Sequence, residues 1–240
     1  MQFWLDRAAT PAETSADGVE TATFFCPERG CAEFEQRALR FGGPSAERSD
    51  AASDEVLFVL AGHGVATIGG EPHDLEPGVA AYVRRGTAWR VDDAASLDVL
   101  SVVIHEPLAG DRSHALVSVE GERGGATAGR EFRLLAVPEV GCASVTQFVG
   151  YIPVGRAPDH YHEYDEVVYV LDGSGELHIG GESRPLHSGA CVHLPARLVH
   201  SLENLGPGQM SVLGVFRPAG SPAAAYYPDG TAAVVPTEED

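Results

Sequence analysis

The hydrophobic residues of this chain fall in short runs and two-residue alternations separated by glycine turns, a period that belongs to β-strands and not to helices. Glu166 to Leu171 is a β-branched and aromatic run, and Asp172-Gly173-Ser174-Gly175 reads as a turn. Glu176-Leu177-His178-Ile179 then alternates before a second turn at Gly180-Gly181. Ala190 to Leu194 is another short strand. Helical spacing is nearly absent, and the best stretch for it is Ala32 to Leu39. Glu120 to Arg130 is rich in glycine and poor in large apolar groups, which predicts a loop or linker. Segments 10–20 and 217–240 read as extended arms, with a frayed end at Thr237 to Asp240.

The strand pattern occurs twice. An offset of 111 residues lays Glu55-Val-Leu-Phe-Val-Leu-Ala-Gly62 on Glu166-Val-Val-Tyr-Val-Leu-Asp-Gly173. Without a gap it also pairs Ile68-Gly69-Gly70-Glu71 with Ile179-Gly180-Gly181-Glu182, Leu75 with Leu186, and Gly78 with Gly189. The chain therefore reads as two copies of one all-β domain, 1–118 and 119–240. Duplicated domains inherit the self-complementary face of a homodimer, so the copies are expected to pack on each other. A further homodimer of whole chains is a possible partner arrangement.

Composition agrees with many short strands: 28 glycines and 16 prolines supply turns, and 44% hydrophobic residues supply a core. The formal net charge of −19 repels polyanions, so neither nucleic acid nor an anionic membrane surface is expected as a partner. The first residues lack a basic and then apolar leader, and no stretch is long and apolar enough to cross a bilayer; the expected location is the cytoplasm. Cys26, Cys31, Cys142 and Cys191 are then expected to be reduced thiols.

Chemistry concentrates in the second copy, in Gly155-x4-His160-Tyr-His162-x3-Glu166-x6-Gly173 and Gly189-x5-Pro195-x-Arg197-x2-His200-x3-Asn204. Residues two apart on a strand face the same side, so His160 and His162 can present two imidazoles to one point inside a barrel. Glu166 opens the neighbouring strand, and His200 returns on a later one. Three imidazoles and a carboxylate suit a divalent transition metal better than calcium or magnesium. Four protein ligands on an octahedral ion leave two positions for substrate, water or dioxygen, whereas tetrahedral zinc held by the same four would be purely structural.

These residues resemble the two signature motifs of the cupin superfamily, and the repeat makes the chain similar to a bicupin over about residues 50–105 and 140–217. The resemblance implies two tandem double-stranded β-helix barrels, jelly-roll-like. It implies metal binding inside the barrel at the positions that fall here on His160, His162, Glu166 and His200. One ion per chain, Fe, Mn, Ni or Zn, is expected. Two departures stand out: the interval from Gly155 to His160 is one residue short, and Arg197 occupies a position that is usually glycine.

The offset maps His160 to Ser49, His162 to Ala51, Glu166 to Glu55 and His200 to Trp89, so the first copy is expected to hold no metal. Glu55 is expected to pair with Arg84 or Arg85, and Trp89 to fill the vacated space. Around the intact site, His178, His193 and Arg197 are candidate catalytic groups, the histidines for proton transfer and the arginine for charge. Arg156, Tyr151 and Tyr164 are candidate substrate-binding groups, with Tyr161 and Tyr169 as further aromatic neighbours. His63, His73, His105, His114 and His187 read as surface residues.

The resulting expectation is a metal-dependent enzyme acting on a small polar or anionic metabolite, first of all a dioxygenase or other oxidoreductase. The alternatives are a non-redox isomerase, decarboxylase or hydrolase resembling ureidoglycine aminohydrolase, and a small-molecule-binding cupin without catalysis. A regulatory role ranks last, because no helix-turn-helix or basic segment accompanies the repeat.

Overall fold

The computed structural model describes residues 2–233; the terminus at Thr237 to Asp240 lies outside them. The strands of the first half are β1 (Trp4–Asp6), β2 (Glu13–Thr14), β3 (Glu20–Phe25), β4 (Phe34–Phe41), β5 (Asp54–Ile68), β6 (Glu71–Leu75), β7 (Val79–Val83), β8 (Trp89–Ile104) and β9 (His114–Ser118). The second half carries β10 (Gly124–Gly125), β11 (Glu131–Leu134), β12 (Thr146–Ile152), β13 (Gly155–Arg156), β14 (Asp165–Asp172), β15 (Ser174–Ile179), β16 (Glu182–His187), β17 (Ala190–Leu194), β18 (His200–Asn204) and β19 (Met210–Arg217). The only helical elements among the described residues are 3-10 turns of three residues each, and no helix is long and apolar enough to cross a membrane. All four cysteines are buried free thiols.

The helical spacing at Ala32–Leu39 is overturned. That segment is β4, paired antiparallel with β3 and β8, and its burial alternates, Phe34, Gln36 and Ala38 inward with Glu35 and Arg37 only half-buried. Phe34 and Ala38, four apart, satisfy a helical and an alternating reading equally, and the flanking strands choose the second, with Leu39 facing the other core.

The repeat extends to the backbone. Turns Pro27–Arg29 and Pro138–Val140 correspond under the same offset, and each closes on a glycine in the left-handed conformation, Gly30 (φ 90°) and Gly141 (φ 100°). The first copy forms a sheet in the order β2-β3-β4-β8-β5-β7-β9, with β6 on β5. The second forms β1-β17-β14-β19-β12-β11-β10 and β13-β18-β15-β16. Ladders among β2 to β9 stay on one side of residue 118 and those among β10 to β19 on the other. The exception is β1, which the 1–118 division assigns to the first copy but which pairs with β17 of the second.

Three cores result. Leu57, Val59 and Leu97 fill the first barrel, Val168, Val170 and Val212 fill the second, and a third core lies between the copies. Val56 and Phe58 of β5 enter that shared core together with their repeat mates Val167 and Tyr169 of β14. Alternate residues of these strands thus face a barrel and the partner copy, which is why the strands read as continuous apolar runs. The two copies form an internal pseudo-dimer.

Polar contacts lock the crossover of the N-terminal strand. Arg7 donates two hydrogen bonds of 2.8 Å to Asp98 on β8 and one of 3.1 Å to the Tyr169 hydroxyl on β14. Arg7→Ala should destabilise the chain by about 1–3 kcal/mol, through a half-buried Asp98 left without its partner. Chemical denaturation checks this, with metal content expected to stay at the parental value.

Candidate metal centre

His160 and His200 face each other across an antiparallel bridge, each backbone N–H donating to the other's carbonyl at 3.0 and 2.8 Å. His162 lies two residues along, on the same side. The ring centroids are 4.7 Å (His160–His200), 5.1 Å (His160–His162) and 5.1 Å (His162–His200) apart. One ring nitrogen of each lies within 4.8 Å of those of the other two.

The tautomers follow from the neighbours. His160 Nδ1 lies 2.8 Å from the Pro158 carbonyl, His162 Nδ1 2.8 Å from that of Ala224, and His200 Nδ1 2.8 Å from that of Leu198. A carbonyl only accepts, so each Nδ1 carries the proton and each Nε2 an in-plane lone pair. The Nε2 atoms make no hydrogen bond among the described residues. Burial lowers the pKa of all three, His162 to about 4, so they are neutral at physiological pH. Convergent neutral lone pairs with their opposite nitrogens fixed are the donor set a divalent transition metal requires.

Glu166, on β14, lines the same cavity but its carboxylate stands outside that tight imidazole group. Burial first and the Asp165 charge second push its carboxyl up to about 8, against the opposing pull of Arg130. Gly214 on β19 makes room for it: a β-carbon there would lie 2.8 Å from Glu166 Oε1. Tyr164 stacks on His162 at 4.6 Å and on Phe216 at 3.9 Å, holding the imidazole plane. The cavity has a volume of about 100 Å³ and is walled by Phe132, Phe148, Tyr151, Leu194 and Tyr227, with Arg130 beside the histidines.

Several sequence candidates lie elsewhere. His178 does not line the cavity. Its neighbours Leu177 and Ile179 are the inward residues of β15, while His178 Nε2 bonds Glu203 at 2.8 Å on the other face. His193 is buried but also on the wrong face of β17: its Nε2 bonds Asp165 at 2.7 Å, and its ring packs on Phe25 in the interface between copies. Arg197 points to solvent and pairs with Glu163 at 2.8 Å; its φ of 64° is left-handed, which accounts for glycine being usual there. Arg156 is likewise outside the cavity, bound to Asp159 at 2.6 Å. Tyr161 stacks on Tyr226, and Tyr169 lies in the shared core. Tyr151 and Tyr164 do line the cavity.

Two contributors were not visible in the sequence. Arg130, at the end of the segment read as linker, reaches the cavity and donates to the Leu202 carbonyl at 2.7 Å; burial lowers its pKa to about 10, so it remains a cation. The C-terminal arm does not extend away but folds over the barrel through a bridge between Tyr161 and Tyr226, bringing Tyr227 to the wall and the Ala224 carbonyl to His162. Apart from an aromatic pair, Tyr226-Tyr227, nothing local marks that arm.

The corresponding place in the first barrel is plugged. Arg48, and not Ser49, bridges Trp89 as His160 bridges His200, because the loop register slips by one. Trp89 is buried against Phe41, and Arg48 lies over both rings. Glu55 pairs with Arg37 at 3.0 Å, and not with Arg84 or Arg85, which bond the carbonyls of Gly110 and Pro107. The Trp89 indole at 3.2 Å and the Ser101 hydroxyl complete the partners of Glu55.

His160→Ala or His200→Ala should abolish metal retention in the second barrel, read by elemental analysis. Trp89→Ala should leave that metal bound while destabilising the first barrel by about 3–5 kcal/mol, read by denaturation. A proton on Glu166 opposes ligation. Mn(II) affinity should therefore rise as pH increases from about 6 through the Glu166 value of about 8, with proton release on binding, and Glu166→Gln should flatten that rise. Titration calorimetry in buffers of different ionisation heat checks both.

Among solved structures, the protein YlbA of Escherichia coli superposes with a TM-score of 0.75 at 14% identity, covering 89% of each chain. Oxalate decarboxylase of Bacillus subtilis superposes at 0.73 with 13% identity, covering 95% of this chain and 80% of that one. Identities this low show a shared fold. In sequence, an uncharacterised protein of Aquifex aeolicus is 32% identical over 77 residues, 32% of this chain and 62% of that protein. The Streptomyces cyaneus protein named polyketide synthase CurC is 33% identical over 82 residues, 32% of this chain and 53% of that protein. The chain thus spans about half to under two thirds of the curated relatives it matches. The cupin domain family matches residues 40–103 and 147–216, more than half the chain and once in each copy, and with two such barrels the chain belongs to the cupin family.

Proposed function

We propose that the second barrel is the centre of a metal-dependent enzyme that binds a small oxygen-chelating organic acid, phenol or enol and oxidises it with dioxygen. The observation that carries this reading is the convergence of three neutral imidazole lone pairs at an aromatic-walled cavity that also holds a carboxyl, Glu166, and a cation, Arg130. His160, His162 and His200, joined by Glu166, would hold one divalent ion, Fe, Mn, Ni or Zn. Such an ion supplies Lewis-acid polarisation and, if redox-active, one-electron chemistry with dioxygen.

The protein's own groups set what enters. Arg130 keeps its charge beside the histidines and is the cation able to neutralise a carboxylate or enolate in the cavity, since Arg156 and Arg197 are engaged outside it. Phe132, Phe148, Tyr151 and Tyr227 offer flat apolar walls to a planar substrate. Covered by the folded-back arm, the cavity limits water around the reacting groups.

A second reading has its own support. Glu166 lies beside the imidazole group with its carboxyl raised to about 8, so it can carry a proton at neutral pH and deliver it to a developing carbanion in a decarboxylation or isomerisation, or to the leaving group in a hydrolysis. Bacillus subtilis oxalate decarboxylase, similar in fold, is described with Mn(II) centres.

Elemental analysis of protein purified without chelator, then oxygen-electrode assays with catechols, 1,2-diols and enolisable acids, tests the first reading. Metal-dependent oxygen uptake is expected; equal turnover under strict anaerobiosis would transfer the assignment to the second. In either case Arg130→Gln should lower kcat/KM for an anionic substrate by about 10²-fold while leaving metal content unchanged.

A further inference from the structure

Glu71 and His73 lie on β6 and His114 opens β9, at the edge of the first barrel and away from its plugged interior. The sequence reads both histidines as separate surface residues, yet the fold brings them together. His73 Nε2 and His114 Nε2 are 3.2 Å apart, their rings 66° to each other, and Glu71 Oε2 lies 3.6 Å from His114 Nε2. The three ligand atoms all fall within 4.8 Å of one another.

Two imidazole nitrogens on one zinc ion, each at about 2.0–2.1 Å with a near-tetrahedral angle, stand roughly 3.3 Å apart, which matches the observed separation. The carboxylate, at 3.6 Å, is too far for a good hydrogen bond to His114 but well placed as a third ligand of the same ion. His114 is held in this orientation: its Nδ1 is 3.1 Å from the Ser113 hydroxyl, and a side chain at Gly69 would run into the ring, with a β-carbon 2.9 Å from Nδ1. Glu71 is exposed, so the site opens to solvent. No ladder joins the two strands that carry the cluster, since β6 pairs with β5 and β9 with β7.

We propose that Glu71, His73 and His114 form a second site for a divalent transition ion of the zinc class, clipping β6 to β9 independently of the histidines in the second barrel. Two ions per chain would then bind, against the one expected from the barrel motif.

The test uses the full chain without a histidine tag, stripped with chelator and titrated with Zn(II) alone. Bound equivalents are counted after gel filtration, and melting temperature is followed in parallel. Two equivalents are expected for the parent, one for His73→Gln or His114→Ala, one for His160→Ala, and none for His73→Gln combined with His160→Ala. Zn(II) should raise the melting temperature of the His160→Ala protein by several degrees but not that of the double variant. If His114→Ala folds poorly, His73→Gln and Glu71→Gln carry the count. Parental stoichiometry in His73→Gln, or no zinc in His160→Ala, would overturn the site. Failure of the barrel centre reads differently, as His160→Ala with an unchanged count.

Discussion

An imidazole is pre-set to point a lone pair at a metal when its other nitrogen is held as a donor, and three backbone carbonyls impose that state on His160, His162 and His200. Each carbonyl comes from a different piece of chain. Pro158 precedes the bridge, Leu198 lies in the turn after β17, and Ala224 belongs to an arm that must fold back across the barrel. Burial then keeps the rings neutral, because charging them inside would lose hydration that the cavity does not replace. The centre thus depends on the whole second half being folded, including a segment with no regular secondary structure.

The twin barrel shows the other solution to the same space. A polar interior with one carboxylate and no imidazoles has to satisfy that carboxylate from protein alone, and Arg37, Trp89 and Ser101 do so around Glu55. Glu166, the repeat mate of Glu55, has no such set of donors. Burial, and after it the Asp165 charge, hold its carboxyl protonated up to about 8, which leaves it free to exchange its proton for a cation. One duplicated scaffold therefore carries a saturated carboxylate in one copy and a poised one in the other. The core they share through Val56, Phe58, Val167 and Tyr169 keeps both in register.

Charge is distributed to the same end. In a chain of formal net charge −19, the arginines at the barrel rim are spent on neighbouring carboxylates, Arg156 on Asp159 and Arg197 on Glu163. Arg130 alone among these three stands at the cavity, beside histidines whose neutrality it reinforces. A cation with few competing anions in a confined apolar space interacts far more strongly with an incoming anion than one on the surface.

The repeat, the all-β class and the four motif positions were legible in the sequence because they rest on local quantities: a two-residue period, turn glycines at fixed offsets, and ligand types at strand spacing. Even there the reading slipped by one at Arg48, where a gapless shift cannot register compensating changes in loop length. The helical spacing of Ala32–Leu39 failed because Phe34 and Ala38, four apart, fit both periods and only pairing with β3 and β8 decides. His178 and His193 have the right chemistry but face outward or into the interface, and parity along a strand is set by which neighbour supplies the core. Arg130, Ala224 and the Glu71, His73 and His114 cluster are contacts between residues far apart in the chain, with no sequence period to announce them. The sequence by itself determined the repeat, the two-residue period of the all-β class and which residue types stand at the motif. The tertiary structure alone decided which side chains share a cavity, because that depends on how sheets close and arms fold back, through distances that no local pattern encodes.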